Sequence, residues 1–258
     1  MTFYLCPHKI RTIANKSKQE RFHKKNRLFG EGKISEVVAP AVAQAEGVQR
    51  CAVAARDLAR AKEFAEKWGF QKAYGSYEEM MKDPEVDVIY IATPHSFHYE
   101  QMMMALDYGK GVICEKAFCI NSSQAKEVRD HARKKGLFAA EAIWTRYMPS
   151  RKIIRDLIDE GAVGTPSVLT GNLFYPVVKK ERLVKPELAG GALLDLGVYG
   201  INFALMCFGN EIERMESSVK MHPGGVDGME SITMFFKDGR MAVLTAGMYS
   251  RSDQKRSS

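Results

Sequence analysis

The sequence has little that would carry it outside the ordinary globular class. Its five cysteines, Cys6, Cys51, Cys114, Cys119 and Cys207, are scattered over 258 residues with no Cys-x-x-Cys pair. An odd, unpatterned set excludes a disulfide framework and fits the reduced thiols of a cytoplasmic protein. Long apolar runs are missing too. The longest apolar-leaning stretch, 198–208, is broken by Gly200 and Asn202. It falls short of the roughly 20 residues of a bilayer-spanning helix, so no transmembrane segment is expected. The N-terminus lacks an apolar segment with a small-residue cleavage site, which excludes a secretory signal. His95 and His98 have a ligand-like spacing, but no third ligand cluster lies nearby in sequence, so no metal site is expected.

Acid is scarce in one place only. The chain carries 38 Lys+Arg against 31 Asp+Glu, a formal net charge of +7. Residues 1–27 hold eight basic residues and one acid, Glu20, so residues 28–258 hold 30 of each sign. The excess therefore belongs to a basic leader, expected to be disordered, and the body is neutral. No aromatic or helical reading platform accompanies the leader, so neither nucleic acid nor a membrane is expected as a partner. With 45% hydrophobic residues, the body can bury a sizeable core.

What is present is an alternation. β-branched or apolar runs at 50–55, 86–92, 111–115 and 137–141 are separated by stretches with apolar residues at helical spacing: Leu58, Ala61, Phe64, Ala65 and Trp68; Met102, Ala105 and Leu106; Ala125, Val128 and Ala132. Strands alternating with amphipathic helices predict βαβ units and a parallel sheet, the helical faces packing on it. The alternation stops at Tyr147-Met148-Pro149. Beyond it lie a helix at 151–160 and strand-like runs at 167–175, 212–221, 231–236 and 241–249. These predict a second α+β domain with a largely antiparallel open sheet. The boundaries are a leader at 1–27, a first domain at 28–148 and a second at 149–258. Within the second, Gly190-Gly191 introduces an apolar helix at 192–208 whose Phe203, Leu205, Met206 and Phe208 predict burial. Asp195 and Tyr199 fall on one face of it at i and i+4, and polar groups there must be satisfied or useful.

Several residues carry chemistry by position. Gly30, Gly32, Lys33, Ile34 and Ser35 form a Gly-x-Gly-x-x-small turn opening a helix, where glycines admit a pyrophosphate and the helix N-terminus favours its charge. Only Leu28-Phe29 precede it as strand, a poor run for a buried parallel strand. The second strand ends in Ala55-Arg56-Asp57. Arg56 there suits a 2′-phosphate, which favours NADP over NAD; alternatively Arg56 is solvated and Asp57 caps the next helix. The next strand ends deliver Thr93, Pro94 and His98, and then Glu115-Lys116, at the edge where open α/β sheets bind ligands.

These segments, with Glu141-Ala142-Ile143-Trp144-Thr145-Arg146 and the Asp195-x-x-x-Tyr199 helix, resemble the Gfo/Idh/MocA oxidoreductases, and within them the branch of the dihydrodiol and NADP-dependent D-xylose dehydrogenases. The resemblance implies a Rossmann domain followed by an α/β domain whose open sheet forms a homodimer. It implies that Lys116, Asp195 and Tyr199 are catalytic, and that Trp144 and Arg146 join Asp195 and Tyr199 in binding a small-molecule substrate. Gly30, Gly32, Lys33, Ile34, Ser35, Arg56, Thr93, Pro94, His98, Glu115 and Lys116 would hold NADP(H). The chemistry agrees: oxidising a secondary alcohol moves a hydride to nicotinamide and a proton to a base. A phenol, with a reference pKa of about 10, needs a neighbouring ammonium to serve as that base.

Three departures set a second reading beside this one. The residue after Lys116 is Ala117 where the family carries proline, which puts the placing of Lys116 in question. The first strand is poor and the leader resembles nothing in the family. The last strand-like run is followed by the polar 250–258 rather than by further strands, so the second domain is expected to be incomplete. The alternative is an impaired homologue that binds nucleotide or a partner without turnover.

Overall fold

The computed structural model describes residues 26–29 and 33–250, with the backbone alone at 26–29 and Lys33. The chain divides into two units, Met1–Tyr147 and Met148–Ser258.

The first unit is built on a parallel sheet of β1 (Asn26–Phe29), β2 (Ala52–Ala54), β3 (Lys72–Tyr74), β4 (Val88–Ile91), β5 (Gly111–Cys114) and β6 (Ala139–Glu141), in the order β3-β2-β1-β4-β5-β6. That order reverses direction between β1 and β4, the crevice where doubly wound sheets bind dinucleotides. The weak first strand is thus a central one. Asn26 to Phe29 pair with Val88 to Ile91, and Leu28 and Phe29 with Val53 and Ala54. Backbone pairing on both sides places this segment without an apolar run of its own, so the first domain reaches into residues assigned above to the leader. β3 was not anticipated. Three residues at a sheet edge are too few to show a period.

Helices α1 (Lys33–Gln44), α2 (Leu58–Trp68), α3 (Tyr77–Lys82), α4 (His98–Asp107) and α5 (Ser122–Lys135) connect the strands. Asp57 caps α2 by accepting from Ala59 N at 2.8 Å, Ser76 caps α3 and Asn121 caps α5. Ala52, Ala54, Ile89, Ile91, Val112 and Cys114 alternate into one core with Met80, Met81, Met102, Leu106 and Val128. Val53 joins Val38, Ala39, Phe64, Ala65 and Phe70 in another. Fully burying a side chain such as Ile91 or Met102 contributes about 1.5–3 kcal/mol. Leu58, expected on the packed face of α2, is instead exposed at its first turn.

The second unit opens with α6 (Pro149–Asp159), β7 (Val168–Phe174) and α7 (Glu181–Val184). A π-helical turn (Leu193–Gly197) then runs into α8 (Val198–Phe208), followed by β8 (Ile212–Met221), β9 (Asp227–Phe236) and β10 (Met241–Gly247). The sheet order is β7-β10-β9-β8; β9 pairs antiparallel with both neighbours, and β10 pairs parallel with β7. Ala204, Met206, Cys207 and Phe208 pack on Ile232, Met234, Phe236, Ala242 and Leu244. Phe203, expected inside, is 41% exposed, because α8 is apolar around its whole circumference and only one face meets the sheet. The stretch Pro186–Phe208 has a mean hydropathy of 1.6 over its most apolar window and is long enough to cross a membrane by length and composition alone; half of that window is buried in the domain, as in a core helix. β9 begins four residues before the predicted start, adding Asp227 and Glu230 to the strand.

Candidate functional site

In the first unit the sequence-predicted residues gather at the carboxyl edge of the sheet. Gly30 and Gly32 lie outside the described residues, and Lys33 opens α1. Ile34 packs against the core, and Ser35 is fully buried in the first turn of α1. Arg56 follows β2 and is exposed, whereas the carboxylate of its neighbour Asp57 is occupied in capping α2. No acidic side chain stands at the last residues of β2 to meet a ribose 2′-hydroxyl.

Past β4, Thr93 Oγ1 donates to Gln101 Oε1 at 2.8 Å, and Pro94 leads into the turn His95–Phe97. His98 is fully buried at the start of α4. Its Nδ1 lies 2.7 Å from Ala117 O and its Nε2 2.8 Å from Thr93 O. The ring nitrogens thus bridge two backbone carbonyls. His98 therefore ties the loop after β4 to the loop carrying Lys116, through the residue that replaces the expected proline. The Lys116–Ala117 peptide bond is cis and Ala117 is buried. The edge-on rings of His95 and His98 lie 5.7 Å apart, and no group of three or more His, Cys, Asp or Glu side chains converges among the described residues.

Lys116 sits between two carboxyls that burial pushes above the usual carboxylate range. Glu115 accepts from the Tyr90 hydroxyl, which opposes the effect of its burial. Glu141, the last residue of β6, accepts from Phe118 N at 3.0 Å, again against its burial. Sequence reasoning singled out neither Tyr90 nor Glu141 as a site residue; Glu141 was visible as the end of a predicted strand in the segment leading to Trp144. Trp144 is half-buried and Arg146 exposed in the turn Trp144–Tyr147.

In the second unit Asp195 is buried in the π-turn and accepts from Arg182 Nη2 of α7 at 3.1 Å. Tyr199 follows in the first turn of α8, half-buried. The glycine pair has a specific cause. Gly191 has φ +114°, and a Cβ on it would collide with Asp227 Oδ1; a Cβ on Gly190 would fall 2.5 Å from Leu183 O. Asp227 uses that space to accept from Leu193 N at 2.5 Å, capping the π-turn from β9. Arg182, Asp227 and Glu230 were not anticipated. Their signal, a charged residue beside an apolar helix or strand, does not distinguish them in sequence from solvated neighbours.

Residues 25–142 match the oxidoreductase family with an NAD-binding Rossmann fold, and residues 152–257 match the GFO/IDH/MocA C-terminal domain. Over 222 residues, 85% of the chain, the sequence is 41% identical to a trans-1,2-dihydrobenzene-1,2-diol dehydrogenase of Xenopus laevis, 67% of which is covered. Against the enzyme of that name from Mus musculus it is 39% identical over 203 residues, 78% of this chain and 61% of that one. The chain thus spans roughly two thirds of such relatives. Among solved structures, a 3-ketoreductase from Actinomadura kijaniata in complex with NADP and TDP-benzene superposes with a TM-score of 0.83 at 26% identity, covering 88% of this chain and 71% of that chain. Both units match in order, and the relatives exceed 30% identity: the chain belongs to the Gfo/Idh/MocA family of oxidoreductases.

Proposed function

We propose that the protein is an NADP-dependent dehydrogenase that oxidises a secondary alcohol of a trans-dihydrodiol or pentose-like sugar, with Tyr199 as acid/base and Lys116 and Asp195 assisting. The observation that carries this reading is the loop after β5 at the carboxyl edge of the sheet, where the Lys116 charge acts on both Glu115 and Glu141 and the next residue, Ala117, is tied through its carbonyl to His98. The residues at that edge suit a dinucleotide. Ser35 lies in the first turn of α1, the order reversal falls between β1 and β4, and the exposed Arg56 has the charge for a 2′-phosphate. When bound, the nicotinamide supplies the hydride acceptor.

The chain's own residues handle the proton. Tyr199 takes it from the substrate hydroxyl, and Asp195, fixed by Arg182, orients the substrate. Trp144 and Arg146 contribute to the substrate side. The 41% identity to a trans-1,2-dihydrobenzene-1,2-diol dehydrogenase supports the substrate class, and the NADP in the related 3-ketoreductase supports the cofactor. A homodimer through the sheet face turned away from α8 belongs to the same reading; Met229 and Val168 are exposed there.

The test is reduction of NADP by the full chain with a trans-dihydrodiol and with D-xylose, alongside the thermal shift on adding NADPH. Tyr199→Phe is expected to abolish turnover and keep the shift. Turnover unchanged in that variant overturns the assignment of Tyr199, and a shift in the unaltered protein without turnover selects the impaired homologue.

A further inference from the structure

The covered face of β9 runs Gly228, Glu230, Ile232, Met234, Phe236, and one of these five is a carboxylate. Glu230 is 6% exposed; no N–H group donates to either of its oxygens, and its polar neighbour is the Asp227 carboxylate, to which it hydrogen-bonds when protonated. The layer around it is apolar: Leu196, Val226, Ala246 and Met248 cluster there, and its strand partners are Val219 and Ala246. Buried carboxyls with neither a cation nor an N–H partner are rare in folded proteins and are concentrated where they are used. This one lies directly beneath the π-turn. A Cβ on Gly197 would fall 2.6 Å from Glu230 Oε1 and 3.1 Å from Leu193 Cδ1, so the carboxyl fits against bare backbone at the end of the turn whose start Asp227 caps.

Asp195 projects from the same turn. Gly197 is two residues on and Leu193 two residues back, which on a helical turn puts both roughly opposite Asp195. Asp195 meets Arg182 on one side while Glu230 supports the turn on the other.

We propose that Glu230 is a positioning residue for the segment carrying Asp195 and Tyr199: in its neutral form it seats the π-turn on the sheet, and its ionisation lifts the turn. The inference rests on the reading of Asp195 and Tyr199 as site residues. Burial, reinforced by the charge of the neighbouring Asp227 carboxylate and by a hydrogen bond to it, raises Glu230 from 4.5 to about 8, so it holds a proton at neutral pH. The charged groups on the elements around it are Asp227 on its own strand, Asp195 on the turn, paired with Arg182 of α7, and Lys220 on β8, whose ammonium lies over the Tyr249 ring. Of these, Asp227 raises it and none supplies a neutralising cation. A charge formed there lacks both solvent and counter-ion, and moving the turn is the means of admitting water.

The experiment compares the full chain with Glu230→Gln, which keeps the shape and cannot ionise. Turnover of a trans-dihydrodiol with NADP is followed from pH 6 to 9.5, and amide hydrogen exchange of the peptide covering 193–199 over the same range. The unaltered protein is expected to lose about tenfold in kcat by one pH unit above the ionisation, and the turn about tenfold in protection relative to the Gln variant. Glu230→Gln should keep its kcat at pH 6 and lack the alkaline loss. An exchange difference that does not change with pH, or an alkaline limb identical in both proteins, overturns the proposal. If the exchange behaves as expected while no Tyr199-dependent turnover is found at any pH, the seating role stands and the catalytic reading fails.

Discussion

Gly191 and Asp227 occupy the same small volume, and the energetics of that arrangement can be measured. Replacing Gly191 by Ala forces a Cβ residue to φ +114°, a strain of about 1–3 kcal/mol. It also drives a Cβ into Asp227 Oδ1, so the carboxylate must leave Leu193 N, which it now caps at 2.5 Å. Losing such a cap costs about 0.5–2 kcal/mol. Gly191→Ala alone should therefore destabilise the second unit by about 1.5–5 kcal/mol, adding the strain to the lost cap. In a chain already carrying Asp227→Ala the collision and the cap are gone, and only the strain remains. The double variant should be less unstable than the sum of the singles by about 0.5–2 kcal/mol, the worth of the cap counted once. Gly190→Ala is the control: its Cβ would fall 2.5 Å from the backbone oxygen of Leu183, a contact that removing Asp227 leaves in place, so that pair should be additive. Equilibrium urea unfolding followed by circular dichroism, fitted with a separate transition for each unit, supplies the free energies. Additive costs for Gly191→Ala and Asp227→Ala would refute the shared-volume argument.

Arg182→Ala leaves the buried Asp195 carboxylate without its guanidinium and should destabilise the second unit by about 1–3 kcal/mol, part of which Asp195→Asn added to it should restore; no loss in the urea midpoint would show the pair to be incidental. Burial pushes the Cys119 thiol up to about 12 and raises Cys114 as well, so at pH 7.5 peptide mapping after iodoacetamide should find both unlabelled in the folded protein and labelled in urea. Labelling of either without denaturant would mean that the loop after β5 opens.

The first unit was legible because its strands are short apolar runs and its helices carry regular apolar faces. Ile89, Ile91, Val112 and Cys114 on strands, and Met102, Leu106 and Val128 on helices, all report burial through composition. What failed there was the part that composition does not encode. β1 is held by backbone pairing to β2 and β4, and β3 is three residues long. In both cases a neighbouring strand determines the structure, and single-sequence periodicity cannot sense a neighbour. Lys116 was legible as a position close to a strand end, whereas Tyr90 and Glu141 reach its loop from strands 25 residues before and 23 residues after the residues they bond.

The second unit shows a different kind of failure. β9 was read from Ser231 because the alternation of apolar residues is regular only from Ile232 onward; Glu230 stands where the pattern requires an apolar side chain and so hides four residues of strand. Asp195 does the same within the apolar helix, where it was noticed because an acid in that setting demands an explanation. Glu230 makes the same demand only once β9 is seen to extend to Asp227, because an acid just before a strand has no apolar pattern to break. The two carboxyls are answered differently: Asp195 has a guanidinium partner, whereas Glu230 shares its proton with the Asp227 carboxylate and lies against the bare backbone of Gly197. A local pattern that fails at two points on opposite sides of one turn marks a place where packing has been given up for something else. That convergence ties Glu230 to the turn bearing Asp195, and it became visible only when register set β9 beneath the π-turn.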